Sequence, residues 1–215
     1  MARRYNPDAF ITQTGFVIRW IENRRLECIV KALGPQDGQT VLDLGCGAGN
    51  LLERLHAGKV FGVDLSENLL SLARKRLQGR SGFEVLFGDA EHLSFADNTF
   101  DGIVCTEVIE HVLHPDVVLA EIYRVAKPGA RIVLTFPNES LINWTKRAVL
   151  RLGLRKWVAG RYPMSDNMLD EWHLSEISGV WVLERTTQHF RQVKTWHVPF
   201  FFLPYHEVIA FDVEK

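Results

Sequence analysis

Val41-Leu42-Asp43-Leu44-Gly45-Cys46-Gly47-Ala48-Gly49-Asn50 runs from a short apolar stretch straight into a glycine-rich turn. An apolar run, such a turn and a following helical stretch put the turn at the carboxyl edge of a parallel sheet, where sheets of this kind bind ligands. Glycines there let the backbone approach a bulky cofactor and take φ values closed to other residues. A glycine-rich strand–helix turn also serves dinucleotides, but two details count against that use. Asn50 stands where Gly-x-Gly-x-x-Gly needs its third glycine, and Asp43 sits inside the end of the strand. A pyrophosphate needs a helix N-terminus free of nearby negative charge, whereas a cofactor with an amino-acid tail carries an ammonium that a carboxylate helps to hold.

Outward from this turn the chain alternates apolar runs with helical stretches. Residues 40–44, 59–64, 83–87, 100–106 and 131–136 read as strands, with helices expected over 50–56, 67–77 and 116–126. Alternation of this kind predicts an α/β fold with a parallel sheet covered on both faces. A leading helix is expected over about 16–33, ending at Gly34-Pro35. After Pro137 the rhythm breaks, and residues 138–172 read as an insertion or lid within a single domain spanning 1–215. The pattern resumes with a helix over about 175–185, a strand over 190–198 and a last strand over 206–213. Two strands joined by a loop rather than a helix are expected to run antiparallel.

Carboxylates recur at the strand ends. Asp64 closes the second strand, where it can accept both ribose hydroxyls of an adenosine cofactor, and Ser66 is the expected cap of the helix that follows. Asp89, with Ala90, follows the third strand and suits the adenine amino group. The densest cluster of reactive groups, Thr106-Glu107-Val108-Ile109-Glu110-His111, follows the fourth strand directly. His56, His92, His114, His189, His197 and His206 have no comparable company in the sequence and read as surface or packing residues.

Five stretches in order, VLDLGCGAGN, VFGVDLS, FGDAEHLSF, FDGIVCTEVIEHV and AKPGARIVLTFPN, resemble the class I S-adenosylmethionine (SAM)-dependent methyltransferases over residues 38–137. Pro128-Gly129-Ala130 departs from the family's usual Pro-Gly-Gly at a turn far from the chemistry. The resemblance implies a doubly wound, Rossmann-like seven-stranded sheet of order 3-2-1-4-5-7-6 with strand 7 antiparallel. It implies SAM as cofactor, held by Asp43, Gly45, Cys46, Gly47, Asp64, Leu65, Asp89, Ala90 and Thr106. The EVIEH stretch resembles ubiquinone-pathway O-methyltransferases and the enzymes that methylate the terminal 2′-hydroxyl of small RNAs, both of which act on oxygen. From the second group it follows that Glu107, Glu110, His111 and His173 are candidate ligands of a divalent metal. Without a metal, Glu107 and His111 are the candidate catalytic groups, with His111 as general base. The alternative is that Glu107 contacts the cofactor, Glu110 caps or pairs, and His111 is a buried hydrogen-bonding residue.

Composition narrows the partners. Lys and Arg number 25 against 26 acids, a net charge of −1, so no global field gathers a polyanion and nucleic acid is disfavoured. A small-molecule or lipid-linked hydroxyl is the expected acceptor, with an RNA 2′-hydroxyl or a non-catalytic SAM-binding regulator as alternatives. Cys28, Cys46 and Cys105 lack CxxC spacing and suit reduced structural thiols; with no signal-type or spanning apolar stretch, a cytoplasmic location is expected. Residues 143–157 combine Trp144, Leu152 and Trp157 with Lys146, Arg147, Arg151, Arg155 and Lys156, a pattern suited to peripheral membrane contact or to covering an acceptor pocket.

Overall fold

The computed structural model describes residues 14–34, 36–153, 177, 179–186 and 188–215. Its centre is β1 (Thr40–Leu44), whose Val41, Leu42 and Leu44 are fully buried. Around it lie β2 (Lys59–Asp64), β3 (Phe83–Phe87), β4 (Phe100–Thr106), β5 (Ala126–Pro137), β6 (Phe190–Phe200) and β7 (Leu203–Val213). The sheet order is β3-β2-β1-β4-β5-β7-β6, with β7 antiparallel to both neighbours and all other pairings parallel.

Alternation along the strands sends successive side chains to opposite faces and so builds two cores. Leu42, Leu44, Ile103, Cys105, Ile132 and Leu134 enter one core; Val41, Val104 and Val133 enter the other. The first is closed by α3 (Pro115–Val125), through Val118, Leu119 and Ile122, and by α5 (Gly179–Thr186), through Val182. The second is closed by α1 (Phe16–Leu33), through Leu26, Ile29 and Leu33, and by α2 (Glu67–Arg76), through Leu70. Strands buried on both faces have no polar side to alternate, which is why their sequences read as continuous apolar runs. The doubly wound topology expected from the motifs is thus the one observed.

Several local expectations are corrected. Residues 50–56 form only a short 3-10 turn, Leu52–Arg54, in place of a helix. Gly45, Gly47 and Gly49 all have positive φ, so the chain is still turning where a helix would have to start. Leu51, Leu52 and Leu55 are buried in that turn instead. Ser66 makes no capping hydrogen bond with its side chain; the helix entry is fixed by Asp64 Oδ1, which accepts from the Ser66 N–H at 2.8 Å. The last two strands extend beyond the expected bounds and meet in a two-residue turn, Phe201-Phe202, rather than a loop. Within the expected insertion, α4 (Glu139–Arg151) is a regular helix whose Asn138 side chain caps the Leu141 N–H. Residues 154–176, with Trp157, Arg155, Lys156 and His173, lie outside the described residues.

Candidate cofactor and acceptor site

The β1 turn is tied to β2 through the Val63 carbonyl, which accepts from the Gly45 N–H at 2.8 Å and the Cys46 N–H at 3.0 Å. Gly45 has φ +77, and a Cβ there would lie 2.1 Å from Val108 Cγ2. The turn and the chain after β4 therefore touch where only a hydrogen fits. Gly47 differs: its φ is +52, yet nothing stands within 4 Å of its would-be Cβ. Cys46 turns inward, and its Sγ would be 2.9 Å from a Cβ on Gly62 of β2, so that thiol packs against the sheet.

Asp43 is 1% exposed and neither carboxylate oxygen has a hydrogen-bond partner among the described residues. Burial, with the Asp64 carboxylate adding to it, pushes its carboxyl up to about 7. An unpaired buried carboxylate is costly, and a cationic ligand beside it relieves that cost. Asp64 is better satisfied: Oδ2 accepts from the Gly47 N–H at 2.9 Å and Oδ1 from Ser66. Each oxygen keeps a lone pair for a diol. Leu65, next along, is an exposed large apolar side chain at the sheet edge. Asp89 Oδ1 accepts from the Glu91 N–H at 2.9 Å, Ala90 is buried, and Thr106 ends β4 in register with Thr135.

Glu107 follows with φ +54, a left-handed turn that redirects the chain from β4. Its Oε1 accepts from Thr135 Oγ1 at 3.2 Å, lies 3.3 Å from His206 Nδ1 and 3.6 Å from Arg25 Nη1. Its Oε2 has no hydrogen bond among the described residues. Against the opposing effect of burial, His206 and Arg25 hold this carboxyl down at about 2. Glu22 of α1 closes the network, with Oε2 on Arg25 Nη2 at 2.7 Å and Oε1 3.7 Å from His206 Nε2. The sequence reading set His206 among surface or packing residues; the structure buries it beside Glu107. Its signal lay in topology, because an antiparallel strand beside β5 begins where β5 ends, and Pro137 pairs with His206. Arg25 and Glu22 carried no motif at all.

Of the rest of the EVIEH stretch, Glu110 is near enough to Glu107 to feel its charge, and His111 is exposed. Glu110 lies in a 3-10 turn, 1% exposed, with both oxygens lacking hydrogen-bond partners among the described residues. Burial and the Glu107 charge raise its carboxyl well above the ordinary range. The exposure of His111 counts against the alternative that makes it a buried hydrogen-bonding residue. Among the described residues, no three of His, Cys, Asp and Glu are grouped to hold a metal ion. His173, the fourth expected ligand, lies outside them.

A family profile described as "Methyltransferase domain" matches residues 42–134. The demethylmenaquinone methyltransferase of Thermobifida fusca is 33% identical over 166 residues, covering 72% of this chain and 67% of that protein. The chain belongs to the class I SAM-dependent methyltransferases. The ubiquinone/menaquinone biosynthesis C-methyltransferase UbiE of Desulfotalea psychrophila is 38% identical over 62% of this chain and 53% of its own length. Across the first of these curated relatives the chain spans between one third and two thirds of their length. Among solved structures, a SAM-dependent methyltransferase from Aquifex aeolicus superposes with a TM-score of 0.64 at 21% identity, over 97% of this chain and 94% of that one. The N-methyltransferase NodS from Bradyrhizobium japonicum, in complex with S-adenosylhomocysteine, gives 0.70 at 17% identity, over 98% and 94%. These two similarities establish the shared fold.

The cofactor of this class I methyltransferase is SAM, and the residues present fit it. Asp43 offers an orphaned carboxyl whose charge a cation beside it would stabilise, Gly47 opens onto free space, and Asp64 presents a carboxylate beside the exposed Leu65. Asp64→Ala is expected to weaken SAM binding about 10- to 150-fold, the value of a charge-assisted hydrogen-bond pair. Part of that loss runs through Gly47, whose N–H the same carboxylate holds. Calorimetric titration with S-adenosylhomocysteine measures it, and an unchanged dissociation constant would remove Asp64 from the site.

Proposed function

We propose that this methyltransferase alkylates a small hydroxylated aromatic acceptor of the quinol type, on a ring carbon beside a hydroxyl. The observation that carries the reading is Glu107: one carboxylate oxygen is pinned by Thr135, His206 and Arg25, and the other is left open at the carboxyl edge of β4. The names of the curated relatives, demethylmenaquinone methyltransferase and UbiE C-methyltransferase, support carbon over the oxygen expected from the EVIEH stretch.

SAM supplies an electrophilic methyl group on a positively charged sulfur. The chain has to align the acceptor with it and draw charge onto the attacking ring. With its carboxyl held at about 2, Glu107 is too weak a base to keep a phenolic proton at neutral pH. It works as a permanent anion that accepts the acceptor's O–H and pushes electron density into the ring. The ring carbon then forms the new bond to the methyl, the C–S pair returns to sulfur, and the ring proton leaves to water.

The same arrangement would serve methylation of the hydroxyl itself, which is the second reading. Incubation with isotopically labelled SAM and a demethylnaphthoquinol separates the two: an aryl methyl resonance supports carbon transfer, and a methoxy resonance supports oxygen. No product with any quinol sinks both. Under this reading EDTA leaves the rate unchanged; a loss restored by a divalent cation would bring back Glu107, Glu110, His111 and His173 as a metal set.

A further inference from the structure

The turn joining β6 to β7 is built from residues that a solvent-facing turn normally avoids. Two-residue hairpin turns favour glycine, asparagine and aspartate; here the two positions are Phe201 and Phe202, 81% and 68% exposed. Phe200 stacks on Phe202 at 5.1 Å with the rings within 4° of parallel, and Phe201 meets Phe202 edge-on at 5.3 Å. The cluster continues across to α1, where Trp20 lies 5.6 Å from Phe200. Phe16 and Val17, four and three residues before Trp20 and hence on the same helical side, are exposed as well. Nothing in the fold needs these rings outside, and a contiguous exposed apolar patch marks an interaction surface.

Its position is informative. His206 pairs with Pro137, the last residue of β5, and the hairpin continues beyond that point through Pro199–Pro204 and Phe200–Leu203. The aromatic tip therefore projects past the carboxyl edge of the sheet, a short step along the strand from the Glu107–His206 contact. Helix α4 leaves from the same edge, where the Asn138 N–H donates to the Tyr205 carbonyl at 2.7 Å. That helix has no buried residue and shows Trp144 and Leu152 with Arg147 and Arg151 along one shallow groove. Arg19 of α1, between Val17 and Trp20, is exposed too. None of these three arginines has an ion pair among the described residues. Rings at a tip, with guanidinium groups on the two helices that meet this edge, complement a surface that is apolar within and anionic at its face.

We propose that the β6–β7 turn and the first turns of α1 form a membrane-docking face, which inserts Phe201 and Phe202 into the interface of a bilayer carrying anionic lipid. The arginines of α1 and α4 lie against the headgroups, and the acceptor mouth opens toward the layer from which a lipid-soluble acceptor arrives. The contact proposed is a peripheral one; among the described residues no helix is long and apolar enough to cross a membrane.

Co-sedimentation of the full chain with phosphatidylcholine–phosphatidylglycerol vesicles tests this without acceptor or cofactor, so its failure is separate from any failure of the quinol reading. The wild type is expected to sediment with the mixed vesicles, more weakly with pure phosphatidylcholine, and less as salt rises. Phe201→Ser/Phe202→Ser, at exposed positions, should lower the partition coefficient at least about 10-fold, the scale set by two buried rings. Arg147→Ser/Arg151→Ser should remove most of the preference for anionic lipid. Absence of sedimentation at low salt overturns the proposal, as does binding that the phenylalanine pair does not change. Sedimentation velocity supplies a further check: a concentration-dependent dimer lost in the phenylalanine variant would give this face to a second copy of the chain instead.

Discussion

Gly45→Ala is expected to cost about 2–5 kcal/mol of folding stability and to weaken S-adenosylhomocysteine binding at least about 30-fold. Two independent penalties meet at this position. At φ +77 any L side chain is strained by roughly 1–2 kcal/mol. Beyond that, the new Cβ would sit 2.1 Å from Val108 Cγ2, which overpacks a junction between the two loops that bound the site. Relief requires Val108 to move, and Val108 leads into the turn that carries Glu110, so displacement spreads to the acceptor side. Val108→Ala separates the two penalties. In a double-mutant cycle it should recover the steric part of the loss in Gly45→Ala and leave the backbone strain. Chemical denaturation and calorimetric titration read both quantities; near-additive effects would mean that Val108 is not what Gly45 makes room for.

The contrast between the two ends of the site explains what was legible in the sequence. The expected cofactor end follows local sequence patterns: a strand running into a glycine turn, and a carboxylate at each strand end. Local backbone requirements there dictate residue type, so the turn at Gly45 and Gly47 and the strand-end carboxylates Asp43 and Asp64 stand out in the sequence. Even so, the helix expected after the turn was wrong, because three positive-φ glycines consume the residues that would nucleate it. The acceptor end is assembled from distant pieces. Glu107 was visible, but His206 lies 99 positions away and reaches it only because β7 runs antiparallel beside β5. Arg25 and Glu22 come from a helix whose sequence shows little beyond an apolar face. The spacing within EVIEH suggested convergence, yet a left-handed residue followed by a 3-10 turn sends Glu110 into the core and His111 outward. The reversal at Glu107 replaces the regular helix that the spacing assumes, and it leaves Glu110 buried within reach of the Glu107 charge.

That reversal makes Glu107→Gln the most informative change at the acceptor end. Glutamine keeps the volume and an amide oxygen able to accept from Thr135 Oγ1, while removing the charge. With no permanent anion to receive the acceptor hydroxyl, kcat is expected to fall about 100-fold, within the range for a lost proton-directing group. Binding of S-adenosylhomocysteine should change little. Stability should respond to pH in a direction set by both neighbouring carboxyls. Glu107, held at about 2 in the folded chain, contributes stability that is present above its unfolded value and lost as pH falls toward 2. Glu110, raised by burial and by Glu107, does the reverse: its contribution is present below its unfolded value and lost as pH rises through its folded one. Removing the Glu107 charge deletes the first effect and shrinks the second, so thermal melts of the variant should vary less with pH at both ends. His206→Gln distinguishes a positioning partner from a catalytic group, since losing the imidazole that sits between Glu107 Oε1 and Glu22 Oε1 should lower kcat less than losing the Glu107 carboxylate. A variant whose melting curve flattens while kcat holds would leave Glu107 a structural role alone, and the acceptor would then be oriented by other groups.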